Sequence, residues 1–216
     1  DKAIVKYQKM EVVQYDLSYI ADIGKNKKIN ESEKPLAIHA IVKALENANV
    51  DVKDPEVFKL NNFGGEYFIS DIGEDKAQDK SGWMYKVNGE SPSIGVGSYE
   101  LKENDVIELY YVPDYTNYYS TEFKASKNLV EVREEVTFTF TAKKEEWDKE
   151  NPIEPVKDGK VLVKEDSKEH TTDEKGQVKI SFEKPGIYYV LADKKLEEGS
   201  IVRPKPIKIE VKEAVE

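Results

Sequence analysis

The chain contains no cysteine. That removes disulfides, thiol nucleophiles and cysteine-based zinc or iron–sulfur sites. Arginine is nearly as scarce, with Arg133 and Arg203 the only two. Bidentate recognition of phosphate or carboxylate depends on the guanidinium fork, so it has little material here. No apolar run approaches the ~20 residues that span a bilayer, and Asp1-Lys2-Ala3-Ile4 does not read as a signal peptide. Positive charge is also outweighed. Lys plus Arg is 33 against 43 Asp plus Glu, a net charge of −10. On Coulombic grounds neither nucleic acid nor an anionic membrane surface is expected as a partner.

What remains is a foldable composition. Of the 216 residues 38% are hydrophobic, and 13 Tyr with 7 Phe supply bulk for a core. Domains usually run ~100–150 residues, so two small domains fit this length. The expected division is 1–115 and 116–216. The first part holds the one convincing helix and most of the glycines, and the second shows strands and turns only. Pro113-Asp114-Tyr115-Thr116-Asn117-Tyr118-Tyr119 reads as a Tyr-rich linker between them.

In the first part a helix is expected from Pro35 to Asn49, with Pro35 in its first turn and Ser32 or Glu33 serving the cap. Ala37, Ala40, Ile41, Ala44, Leu45 and Ala48 form its apolar stripe. His39 lies nearly opposite that stripe and is expected to face solvent. Period-two alternation predicts strands at Val13 to Tyr19, Glu66 to Ile72, Trp83 to Val87 and Val106 to Val112. Asn88-Gly89 is a hairpin signal. One helix among mostly antiparallel strands gives an α+β layout. In the second part, Val136, Phe138 and Phe140 alternate with threonines. Further strands are expected around Leu129-Val130 and at Lys160 to Lys164, Gln177 to Phe182, Ile187 to Ala192 and Ile207 to Val211, with a short exposed turn at Lys143 to Glu150. About seven strands suit an all-β, two-sheet sandwich.

Catalysis has little to work with. His39 and His170 are the two histidines, the latter in a charged loop, and neither pattern builds a nucleophile–base–orienter set. The chain therefore reads as a non-enzyme. The acidic stretches Asp71 to Asp79, Asp148 to Asn151 and Asp173-Glu174 lack calcium-loop spacing. Gly95-Val96-Gly97 begins like a dinucleotide fingerprint, but Glu100 stands where the third glycine belongs. No metal or cofactor is expected. The constellation that stands out is aromatic and glycine-rich: Asn62-Phe63-Gly64-Gly65, Ser81-Gly82-Trp83-Met84-Tyr85, Asn88-Gly89 and Gly95-Val96-Gly97-Ser98-Tyr99. Exposed aromatics beside tight loops are a usual means of holding a flat or amphipathic ligand.

Two segments carry a resemblance. Ser81-Gly82-Trp83-Met84-Tyr85-Lys86-Val87-Asn88-Gly89-Glu90, followed by Ile94-Gly95-Val96-Gly97-Ser98-Tyr99 and the run to Glu108, resembles the transcobalamin C-terminal-like domain of Gram-positive surface proteins. Pro35 to Glu46 sits where that family has its helix. The resemblance implies a β-grasp fold, with one helix on a curved mixed sheet. It also implies a ligand-binding set of Trp83, Met84, Tyr85, Lys86, Asn88, Gly95, Gly97, Ser98 and Tyr99, with cobalamin or another corrinoid as the implied ligand. A corrinoid site there requires Trp83 and Tyr85 to face solvent. The helical barrel that completes such sites in vertebrate carriers has no counterpart in these 216 residues. The stretch from Thr172 to Val190 resembles, less specifically, bacterial immunoglobulin-like modules.

Together these features predict a non-catalytic binding or adhesion segment, extracellular or on a Gram-positive cell wall. The first domain is its recognition surface and the second a spacer, with further domains expected in the same chain. Expected partners are a small molecule, a glycan or a protein ligand at the cell surface, with no direct membrane insertion. A corrinoid-capturing half-module is the alternative.

Overall fold

A computed structural model describes residues 4, 5, 7–146 and 149–214. The chain forms two compact units, Asp1–Tyr115 and Thr116–Glu216. It is mostly β, and among the described residues no helix is long and apolar enough to cross a membrane.

Among its described residues unit 1 contains a short helix α1 (Lys27–Asn30), the main helix α2 (Ala37–Asn47) and five strands. These are β1 (Phe58–Phe63), β2 (Glu66–Ile72), β3 (Asp75–Lys76), β4 (Gly82–Val87) and β5 (Ile107–Val112). They form two ladders, β1-β2-β3 and β4-β5, each antiparallel throughout. The single mixed sheet expected here is thus two antiparallel pieces, with β2 running close beside β4. Helix α2 begins two residues later than expected, with Leu36 as N-cap. Ser32 caps nothing there, because its hydroxyl donates to Ile29 O of the preceding turn. Asn49 ends α2 with φ of 61°, and Val50 N–H returns to Leu45 O at 3.0 Å, the Schellman arrangement.

The stretch Val13 to Tyr19 is not a strand. Its residues 13–17 carry no regular secondary structure and 18–19 form a turn, with the Tyr15 hydroxyl donating to His39 O of the helix. Leu17 from this stretch, with Ile20 and Ile23 just after it, enters the same core as Ile38, Ile41, Val42 and Leu45. The helix is therefore covered on more than the one predicted stripe, and His39 is fully buried.

Among its described residues unit 2 has ten strands. They are β6 (Tyr118–Ala125), β7 (Leu129–Glu131), β8 (Glu135–Glu145), β9 (Ile153–Pro155), β10 (Lys160–Val163), β11 (Lys168–Thr171), β12 (Gln177–Ser181), β13 (Gly186–Asp193), β14 (Ser200–Ile201) and β15 (Ile207–Lys212). One sheet has the order β11-β10-β13-β15-β7 and the other β12-β8-β6-β14, with β9 added on β8. Phe123, Phe138 and Phe140 of the second sheet share one core with Val161, Val190 and Ile209 of the first, so the sheets face each other as a sandwich. The alternation in β8 is met fully: Val136, Phe138 and Phe140 are all at 0% exposure. Two expectations are corrected. Tyr118 and Tyr119 open a strand rather than serve as linker, and His170 lies on edge strand β11 opposite Val161. The turn expected at Lys143 to Glu150 is strand as far as Glu145, and part of it lies outside the described residues.

Candidate functional site

The glycine loop has a structural task. The first N–H groups of a helix lack partners within it. Here Ala37 N–H donates to Tyr99 O at 2.8 Å and Ile38 N–H to Val96 O at 2.9 Å. The loop thus caps α2 with its carbonyls, and Leu101 N–H closes on Pro35 O. It is also pressed against β2: Val96 N–H donates to Tyr67 O, and a Cβ on Gly95 would sit 2.4 Å from that same oxygen. A Cβ on Gly97 would meet Ile29 and Tyr67 at 3.1 Å. Both glycines are buried, Gly95 by close approach to the Tyr67 backbone and Gly97 by the side chains of Ile29 and Tyr67. Gly95 N–H donates to Glu66 Oε2 at 2.9 Å, and Lys28 Nζ reaches Ser98 Oγ at 2.8 Å. The Ser98 hydroxyl, the Gly95 N–H and Lys28 together hold the Glu66 carboxyl below the usual carboxylate range.

Strand β4 divides the aromatic set. Tyr85 is only 8% exposed. Its hydroxyl donates to Ile94 O at 2.6 Å and its ring meets Tyr99 edge-on at 6.4 Å. Burial, with Tyr99 and Glu66 nearby, pushes that hydroxyl up to about 12. Trp83 is half-buried against the core, its indole N–H donating to Asp75 O at 2.9 Å and its ring edge-on to Tyr111 at 5.5 Å. Tyr85 is thus withdrawn from solvent, whereas Trp83 keeps part of its ring accessible. Met84 and Lys86 lie on the opposite strand face, across from Tyr110 and Glu108, with the Lys86 ammonium 5.6 Å from the Tyr110 ring centre. Asn88, at φ of 54°, ties two turns together: its side chain donates to Asp105 Oδ1 and accepts from Val106 N–H.

His39 is the main correction. Leu36 N–H donates to its Nδ1 at 2.9 Å, and Nε2 lies 3.1 Å from Tyr15 O. With Nδ1 accepting, the neutral ring carries its proton on Nε2 and donates to Tyr15. Burial lowers its pKa from 6.5, with the Tyr15 carbonyl opposing. Histidine here takes the place of the Glu or Gln that reaches back to an N-cap N–H. The available signal was its position three residues after Leu36. His170 is half-buried with Nε2 unpartnered among the described residues.

One part of the constellation does remain exposed. The two-residue Gly64-Gly65 turn, with φ of 61° and 91°, pairs Phe63 with Glu66. Phe68, two residues beyond Glu66, then falls on the same face as Phe63. Phe63 is 71% and Phe68 38% exposed. Phe68 was not singled out from sequence, although a two-residue loop in Phe-Gly-Gly-Glu-Tyr-Phe dictates that register. Two hollows also mark unit 1: one of about 530 Å³ at Gln78, Asp79, Lys80, Ser81 and Pro113, and one of about 380 Å³ between Asp16, Ser18, Lys25, Lys27, Asn30 and Glu31. Both open broadly to solvent, unlike sites that enclose most of a small ligand.

Residues 42–112 match the family model described as a domain of unknown function (DUF4430). The match starts within α2 and ends at the last residue of β5, so it covers both ladders of unit 1 and less than half of the chain. No curated protein matches the chain. Among solved structures, the D0-D1 domain of intimin is similar at 15% identity, over 67% of this chain and 88% of that chain, with a TM-score of 0.28. At that score the likeness fixes neither topology nor function.

Proposed function

We propose that the chain is a non-catalytic binding segment of a bacterial surface or secreted protein, with unit 1 as recognition module and unit 2 as an immunoglobulin-like spacer. The observation that carries this is the Phe63–Phe68 pair on the β1–β2 hairpin. Leaving a phenylalanine in water forgoes about 2 kcal/mol of burial, and a hydrogen-bonded hairpin holds both rings ready with little ordering cost on binding. Such rings offer stacking surface to a sugar, a corrin or an aromatic side chain of a protein partner. One helix lying under antiparallel ladders, with β2 beside β4, supports a β-grasp description of unit 1. The cysteine-free, arginine-poor composition supports a Gram-positive cell-surface location.

The test is a calorimetric titration of the whole chain with cobalamin, its incomplete corrinoid precursors and a panel of soluble glycans, repeated on a Phe63→Ser/Phe68→Ser variant. The expected result is saturable binding of one probe at micromolar concentration, weakened in the variant by about tenfold or more. Equal affinity in parent and variant rules the hairpin out. Loss of binding in Trp83→Ala, with the double variant intact, moves the site to β4.

A further inference from the structure

Register orders the outer face of the β1–β2 hairpin. Directly opposite residues share a face, so Phe63 stands with Glu66, Asn61 with Phe68 and Lys59 with Asp71. Successive rows lie about 6.7 Å apart along the strand. Leu60, Tyr67 and Ile69 point the other way, into the core of unit 1, which fixes the three rows outward. The two phenylalanines therefore occupy one diagonal, one on each strand, with Asn61 and Glu66 on the crossing diagonal. The Gly65 N–H donates to Asn62 Oδ1 at 3.0 Å and stiffens the turn beside them.

The polar members differ in what they already hold. Glu66 is engaged by the Gly95 N–H and by Lys28, whose Nζ lies 3.7 Å from Oε1. Asp71 Oδ1 accepts from the Ser70 hydroxyl at 2.6 Å. Asn61 and Lys59 are exposed, and among the described residues neither side chain has a partner. Two open rings thus stand beside an amide and an ammonium with every donor unused.

Area, charge and shape choose the occupant. A standard protein interface buries about 800 Å² on each partner, whereas two aromatic side chains offer only about 200 Å² each. Charges on the face balance, Lys59 and Lys28 against Glu66 and Asp71, within a chain of net charge −10, so a polyanion is not attracted. An open platform does not enclose a small molecule. A polymer needs no enclosure, because neighbouring units of it engage neighbouring rings. Pyranose rings with equatorial substituents present C–H groups on their faces and hydroxyls around their rims, which matches rings alternating with polar side chains. We infer that the outer face of the β1–β2 hairpin binds a neutral β-1,4-linked polysaccharide, whose sugar faces stack on Phe63 and Phe68 while Asn61 and Lys59 bond its hydroxyls. This rests on the recognition reading above and names its ligand class.

The experiment is a calorimetric titration of the whole chain with cellohexaose and chitohexaose, with polygalacturonate as the anionic comparison. One of the two hexasaccharides is expected to bind with a Kd of about 1 mM or tighter, and more tightly than polygalacturonate. Phe63→Ser/Phe68→Ser should weaken that binding by about tenfold or more, and Asn61→Ala, which leaves both rings in place, by about fivefold. All three positions are exposed, and urea transitions matching the parent's establish that the variants are folded. Silence from both hexasaccharides, tighter binding of polygalacturonate, or hexasaccharide binding that either variant leaves unchanged overturns the inference. The recognition reading is separated by cobalamin. If cobalamin binds the parent and the double-phenylalanine variant loses it while both sugars stay silent, the ligand class is wrong and the surface is right.

Discussion

The two units hold their backbones by different means. In unit 2 the main-chain groups of the described residues go mostly into the ladders of ten strands. In unit 1, residues 7–26 and 88–106 lie outside the strands β1–β5 and are tied down by side chains and cross-loop bonds. Leu17 N–H donates to Asn30 Oδ1, Leu60 N–H to Asp22 Oδ2, Gly95 N–H to Glu66 Oε2, and the His39 ring joins Leu36 to Tyr15. Most buried polar groups need a partner, and the two units supply them with different vocabularies. His170 Nε2 and Ser200 Oγ of unit 2 are the exceptions among the described residues. A ladder tolerates many sequences, whereas a side-chain tie needs one residue type at one position. Unit 1 is therefore the more fragile to point substitution at polar and glycine positions, and unit 2 the more dependent on bulk in its core.

The sharpest test of that contrast is Gly95→Ala. Its Cβ would meet Tyr67 O at 2.4 Å and Tyr67 N at 2.8 Å, both backbone atoms that cannot rotate away. Moving the loop also uncaps α2 at Ala37 and Ile38. A cost above about 4 kcal/mol is expected, comparable with the whole stability of a small domain. Amide exchange read by mass spectrometry should show α2 and β1–β5 unprotected while β8 and β13 stay protected. Phe138→Ala is the mirror test. Phe138 is fully buried against Phe123, and its truncation is expected to cost ~3–5 kcal/mol, reversing which peptides lose protection. If either change melts both units together, the division into separately held units is wrong.

The same contrast governs what was legible in advance. Period-two alternation predicts which way side chains face, and in β8 and β15 the backbone also finds neighbours, so the expected strands form. Val13, Tyr15, Leu17 and Tyr19 alternate just as well. Yet Val13 is 56% exposed, and only Leu17 of the four is fully in the core. No neighbouring strand is there, because α2 occupies that side. Pairing partners are a property of the whole fold and are not written in a seven-residue window. The candidate site fared likewise. The Gly95 loop and Trp83–Tyr85 stand out in sequence because they are constrained, and packing against β2 and the helix end imposes such constraint as firmly as a ligand would. Phe68 escaped notice because its significance lies only in its register with Phe63.

Acidification separates the units more gently. His39 is held neutral by burial, and its Nδ1 faces the Leu36 N–H, so protonation there costs a hydrogen bond as well as desolvation. Its folded pKa lies below 6.5 while the unfolded chain takes up the proton near 6.5. Below that pH the unfolded state binds more protons, so stability present above pH 6.5 is lost as pH falls, by at most about 1.4 kcal/mol per pH unit. The measurement is urea unfolding of the parent and of His39→Gln between pH 7.5 and about 5, above the range where carboxylates titrate. Glutamine can still accept from Leu36 N–H, so the variant should fold and its unit 1 transition should lose this slope. An unchanged slope would mean that some other group titrates.

The smallest expected effect falls on the hairpin that the proposed function depends on. Phe63 is 71% exposed and sits beside Gly64 and Gly65, at each of which nothing lies within 4 Å of an added Cβ. Its ring is absent from the core of unit 1. Phe63→Ser should therefore change stability by no more than about 0.5 kcal/mol, the range of surface substitutions, and leave the β1–β2 register in place. Here the comparison between units inverts. In unit 2 large apolar residues matter for folding, whereas on this hairpin the most exposed one matters for what it touches outside the chain. A stability loss above about 2 kcal/mol, measured by urea unfolding, would show that Phe63 is covered by part of its own chain in solution. The recognition surface would then have to be sought on the Met84–Lys86 face of β4.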